Sequence, residues 1–263
     1  MLVEGAGRFA LGPLWEVAAS THTWGELTEH VPPGPARAFA AHERVIRGED
    51  LSGDPAIDPL VLELPLALEG WEPAYPLATY RSDKAEFPSP DLPRLDPLEM
   101  PPRGQPHRDH PSVEALLDLT RTWTDQSNGR AAAAAVEGDA AAAVGALGQR
   151  RVLWSEADHG TAMAAMAWAG ASGGAYGRRR GTPAGRLGAW WAVASMTGLL
   201  DDWPVEPERL GEAAEELRWH VWEPEGNTVG WGLYLAAEDP EGGLAWAVAA
   251  SDSRRDEDAL AEQ

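Results

Sequence analysis

Three stretches of the chain gather side chains that could do chemistry. His107, Asp109 and His110 supply nitrogen and oxygen donors suited to zinc or nickel. A fourth ligand and an ordered scaffold would have to complete such a site, and in this proline-rich, polar stretch solvated side chains are the ordinary explanation. Glu156, Asp158 and His159 put two carboxylates beside an imidazole, a set that can perform acid–base work. Acids at a helix start are also what capping and the positive helix end call for. Residues 173–185 are the best candidate. Glycines there let backbone N–H groups converge, Arg178, Arg179 and Arg180 bring charge with Arg186 just beyond, and Tyr176 lies among them. A helix starting at Pro183 points its positive end nearby, so the stretch fits a phosphate or a carboxylate. Its spacing is neither a phosphate-loop nor a dinucleotide signature. The plainer reading is an exposed, flexible connection whose arginines pair with the chain's own acids. Ser, His and Asp are all present, but no hydrolase triad is expected from them.

The elements that must carry these residues follow from pattern. Thr182 as cap and Pro183 at the first turn open a helix reaching Leu200. Leu187, Trp190, Trp191 and Ala194 form one apolar stripe, and Val193, Met196 and Leu200 another, so this helix is expected to be buried and central. Ser155 with Asp158 predicts a helix to about Ala169, with Ala157, Ala164, Ala165 and Trp168 facing inward. Upstream, Pro13 opens a helix with Leu14, Val17 and Ala18 on one stripe, and Thr23 with Glu26 makes a capping box. Phe39, His42, Val45 and Ile46 have helical spacing, and residues 61–64 read as a short strand.

Pro111 and Ser112 start a helix running to about Trp123, and Ser127-Asn128-Gly129 is a turn. Residues 131–136 are mostly alanine, the best helix former. Turn sequences on both sides leave them too short for a helix, so a strand is expected, followed by a helix over about 139–147. After one more helix within 204–216, apolar residues alternate around Trp219, Trp231 and Trp246 in three successive segments. That period of two predicts an antiparallel meander with one Trp per strand on a shared face.

The fold class expected is α+β, with buried helices packed on a C-terminal antiparallel β-meander. Eight prolines in residues 88–111 exclude a helix or central strand there. Leu92, Leu95, Leu98 and Met100 favour an arm packed on a single domain of residues 1–252 over a solvated linker. Residues 253–263 read as a disordered acidic tail.

The 263 residues include no cysteine, which excludes disulfides, thiolate metal sites and a cysteine nucleophile. Neither a leader nor a membrane-spanning run is visible, so a cytoplasmic protein without membrane association is expected. A net charge of −21 argues against nucleic acid as a partner. The charge is uneven: residues 129–200 hold seven arginines against four acids, a local +3, leaving −24 elsewhere.

Four short motifs recur in an order that carries a resemblance. They are Ser127-Asn128-Gly129-Arg130, Gly173-Gly174-Ala175-Tyr176, Gly185-Arg186-Leu187-Gly188-Ala189-Trp190 and Ala249-Ala250-Ser251-Asp252. Over roughly residues 58–252 the chain resembles an uncharacterised family of bacterial proteins, from GC-rich filamentous soil bacteria, catalogued as a domain of unknown function. The resemblance transfers no catalytic residue and implies no cofactor. It does single out Asn128, Arg130, Tyr176 and Arg186. The sequence therefore favours a non-catalytic binding or accessory protein. The alternatives are an immunity- or antitoxin-like protein engaging a basic partner, and an enzyme using residues 173–186 on a phosphorylated or carboxylated small molecule.

Overall fold

Strand pairing organises the C-terminal half of this computed structural model, which describes residues 12–81, 84–101, 105–107, 110–226 and 230–254. In chain order, the first layer is helical: α1 (Leu14–Thr21), α2 (Trp24–Thr28) and α3 (Pro35–Ile46). A two-residue pair, β1 (Thr79–Tyr80) with β2 (Ala85–Glu86), follows an irregular stretch. Then come β3 (Asp96–Glu99), α4 (Pro111–Asp118), α5 (Arg121–Gln126), β4 (Arg130–Glu137), α6 (Ala140–Ala146) and β5 (Arg151–Ala157). The chain continues through α7 (His159–Ala171), α8 (Thr182–Met196) and α9 (Pro207–Glu216). It closes with β6 (Arg218–Pro224), β7 (Trp231–Asp239) and β8 (Leu244–Asp252). An α+β fold results.

Six strands form one antiparallel sheet in the order β3-β5-β6-β7-β8-β4. The expected meander is its centre. One cross-strand row reads Trp219, Ala237, Trp246, Ala135, which puts two buried indoles on one face with alanines between them. Trp231 lies on that face three two-residue repeats along β7 and is half-buried. Helices α7 and α4 pack over this face with α8 against both of them, and α6 covers the other around Val136, Trp222 and Ala247.

The alanine run forms β4, as the bracketing turns require. Eight of its residues pair with β8, and α4 and α6 both approach it, which larger side chains would obstruct. β5 was not expected. Ser155 and Ala157 lie in that strand, and the helix begins only at His159. β3, inside the proline-rich stretch, is an edge strand paired with β5. Met100 N donates to Arg150 O at 2.8 Å, so Leu98 and Asp96 also turn their backbone groups toward β5. Pro97 then faces outward, where its missing N–H blunts the sheet edge.

The N-terminal layer departs from two expectations. Residues 61–62 lie in a turn and 63–64 are irregular, with Glu63 at φ 54°, and no strand among the described residues pairs with them. In α1, Leu14 is 68% exposed while Glu16 is fully buried, which inverts the apolar stripe. The Thr23–Glu26 capping box is present in both directions. α3 buries His42, Val45 and Ile46.

At the centre, α7 and α8 pack at Gly170 and Gly185, where a Cβ on Gly185 would stand 1.9 Å from Ala167 O. Only glycine allows that approach. Trp190 is 1% exposed, but its neighbour Trp191 is 37% exposed and stacks edge-on with Trp203. α8 is therefore buried on fewer sides than its composition suggests.

Candidate functional site

The glycine–arginine stretch folds as a loop between α7 and α8, and its polar groups are turned inward. Gly174 N donates to Ser172 Oγ, Ala175 N to Asp252 Oδ2 at 2.7 Å, Tyr176 N to Ser127 Oγ at 3.0 Å and Arg178 N to Gln126 Oε1. The N–H groups do not converge on one acceptor, and a single one, that of Ala175, meets a carboxylate. That carboxylate is the chain's own Asp252, at the end of β8. Gly174, at φ 68°, makes room for it: a Cβ there would lie 2.1 Å from Asp252 Oδ2.

The start of α8 is filled in the same manner. Gly181 is its cap and Thr182 its first residue, and Thr182 N donates to Glu16 Oε1 of α1. Arg179 grips the same carboxylate through Nε and Nη2, and Tyr80 donates its hydroxyl to it at 2.7 Å. The Arg179 guanidinium also lies 4.7 Å from the centre of the Phe87 ring. Next to this cluster sits Glu43, fully buried, with Oε1 on Arg47 and Oε2 without a hydrogen-bond partner. Burial, and then the neighbouring Glu16, push the Glu43 carboxyl up to about 7.

Arg186 organises a second junction. Its Nε and Nη2 bind Glu72 at 2.7 and 2.6 Å, while Nη1 and Nη2 donate to Pro65 O and Ala67 O. Tyr75 and Trp190 also donate to Glu72. Burial alone would raise the Glu72 carboxyl, but the Arg186 fork outweighs it and holds the group low. His42 is buried nearby with neither ring nitrogen bonded. Burial, then Arg186, depress its pKa to about 3, so it stays neutral.

The loop expected to be exposed is therefore exposed only in part. Arg179 and Arg186 are buried in ion pairs, Tyr176 is half-buried, and Arg178 and Arg180 are exposed. Glu16 and Glu72 were not legible as partners, because they lie 163 and 114 residues from their arginines. The sequence 170–174 also spells Gly-x-Ser-x-Gly, but a nucleophile elbow is a strand-to-helix turn. Ser172 instead ends α7.

The other candidate clusters are dispersed. Asp158 caps α7 by accepting from Thr161 N, His159 Nε2 donates to Trp71 O at 2.9 Å, and Glu156 sits exposed on β5. Asp109 lies outside the described residues. His110 caps α4 through Ser112, and His107 faces Glu137 at 3.7 Å. Among the described residues no group of three or more His, Cys, Asp or Glu side chains could hold a metal ion. None of the described helices is long and apolar enough to cross a membrane.

What the sequence did not single out is a cleft of about 1470 Å³ beside the loop. It lies where β4 and β7 begin and β6 and β8 end. Trp168, Trp231, Phe87 and Leu92 give it aromatic and aliphatic walls, and Asn128, Arg130, Glu223 and Asp252 give it polar ones. Three of the four recurring motifs meet here: residues 127–130 and 249–252 border the cleft, and 173–176 are latched to both through Ser127 and Asp252. No curated protein and no solved structure matches the chain. A family model described as a family of unknown function (DUF6183) matches residues 2–254, more of the chain than the four motifs span, and the chain belongs to that family.

Proposed function

We propose that this is a non-catalytic binding protein whose ligand enters the cleft beside Trp168 and Trp231. One observation carries this reading: a cleft of about 1470 Å³, with half-exposed indoles and polar groups of both charge signs, opens where the recurring motifs meet. The rival reading, an enzyme gripping a phosphate or carboxylate at residues 173–186, has to compete with Asp252 and Glu16 for the same donors. A chain charge of −21 supports a basic partner and works against polyanions. The lack of cysteine fits a reducing cytoplasm, and the motif resemblance fits a bacterial source.

Fluorine NMR of the chain labelled with fluorotryptophan tests the proposal, with each resonance assigned by single Trp→Phe variants. A fragment screen should shift Trp168 and Trp231 together. If ligands shift only distant indoles such as Trp15 or Trp191, the cleft is not the binding site.

A further inference from the structure

The charged groups of the cleft cancel. Arg130 and Arg254 stand against Glu223 and Asp252, while Ser89, Asn128, Tyr234 and Ser251 are neutral. A cation or an anion finds no surplus counter-charge there, and the lining offers a mixture of hydrogen-bond donors and acceptors instead. Two half-buried indoles share it, Trp168 of α7 and Trp231 of β7.

Trp231 and Asp252 are directly opposite each other in the β7–β8 register, so an indole and a carboxylate leave the same face side by side. The carboxylate is fixed before any ligand arrives. Asp252 is 4% exposed, with Oδ2 accepting from Ala175 N and Oδ1 from Ser253 N. Each carboxylate oxygen takes two hydrogen bonds, so both keep capacity for a further donor. Trp168 is held as well. It stands edge-on to the fully buried Trp123 with 5.9 Å between ring centroids, and Trp123 Nε1 donates to Ser172 O. Gly129 admits that inner indole, since a Cβ there would lie 2.7 Å from Trp123 Cβ.

We infer that the cleft binds a neutral saccharide of more than one ring, with one sugar face on Trp231 and its hydroxyl edge on Asp252. This rests on the cleft being the binding site, as proposed above. A pyranose is apolar on its C–H face and polar around its rim, so it needs a flat apolar platform with acceptors and donors beside it. Trp231 next to Asp252 is that combination. Hydroxyls donating to a carboxylate form strong, charge-assisted bonds, and Asn128 and Arg130 can donate to the sugar oxygens. A volume of about 1470 Å³ exceeds the roughly 300–1,000 Å³ usual for a single small molecule, which leaves space for a second ring near Trp168.

An array of neutral glycans probed with the full chain selects the sugar, which is then titrated against the fluorotryptophan-labelled chain, with adenosine as the comparison. The sugar should shift Trp168 and Trp231 saturably and move the Ala175 amide, whose acceptor it shares. Its affinity should stay within about twofold as salt is raised, because neither partner site carries surplus charge. The permethylated sugar keeps its ring faces but cannot donate, and should bind roughly tenfold more weakly or worse. Trp231→Ala should cost a similar factor of about ten. An array without a retained glycan, equal binding of the permethylated form, or indole shifts with adenosine alone overturns the inference. If fragments still shift Trp168 and Trp231 in that case, the cleft stands and only the saccharide falls; if they do not, both fall.

Discussion

The loop between α7 and α8 and the opening between β6 and β7 treat backbone polar groups in opposite ways. In the loop, successive N–H groups end on Ser172, Asp252, Ser127 and Gln126, and the first N–H of α8 ends on Glu16. In the opening, two strands that are well paired on their outer sides part company after Val221 and Leu235. The first arrangement looks like a site in the sequence and is a joint in the structure. The second carries no motif and borders the cleft. Glycine and arginine reveal that polar groups will gather, but not whether the chain itself supplies their partners.

The largest effects should come from breaking the joint. Arg186→Gln leaves Glu72 buried without its partner and frees the carbonyls of Pro65 and Ala67. A loss of about 3–5 kcal/mol in chemical denaturation is expected, as for other buried pairs stripped of one partner. Trp190→Ala should cost a similar ~3–5 kcal/mol through cavity formation and the lost bond to Glu72.

Next in size is a pH dependence. The folded pKa of Glu43 lies above its unfolded value of 4.5, at about 7, so the neutral carboxyl is favoured by folding. Its contribution is fully present below pH 4.5 and is lost as pH rises through about 7. The loss amounts to roughly 3 kcal/mol by linkage. Below about pH 6.5 the neutral, buried His42 works in the opposite direction, so the decline should appear as the difference between wild-type and Glu43→Gln thermal melts across that window.

Asp252→Asn sharpens the comparison at lower cost. It replaces a charge-assisted acceptor for Ala175 N with a neutral one, which should cost about 1 kcal/mol and speed hydrogen exchange at Ala175. The smallest effect belongs to Trp191→Ala. Its ring is partly exposed against Trp203, so denaturation should move by less than about 1 kcal/mol. A loss equal to that of Trp190→Ala would mean the outer side of α8 is covered.

Legibility in the sequence tracked how local each cause was. The meander around Trp219, Trp231 and Trp246 was readable, because alternation is written within each strand. β4 was readable from its turns, even though alanine propensity argued for helix. β5 was not, since the run Val152-Leu153-Trp154 lacks alternation and Ser155 imitated a helix cap three residues before Asp158. Residues 61–64 alternate like a strand but have no partner, and a strand needs one. The burial of Glu16 beneath exposed Leu14 defies the helix pattern outright, because Arg179 attracts it from far along the chain. The opening between β6 and β7 had no signal at all, since a ladder that stops is a fact of register between two segments.

The central claim is that the glycine–arginine loop is an anion site already occupied by the chain's own carboxylates. Amide NMR spectra titrated with inorganic phosphate to millimolar concentration test it most directly. The amides of Ala175, Tyr176 and Thr182 should keep their positions throughout and remain slow to exchange with solvent. Saturable shifts at the Ala175 and Thr182 amides would show an external anion displacing Asp252 or Glu16, and would contradict the account.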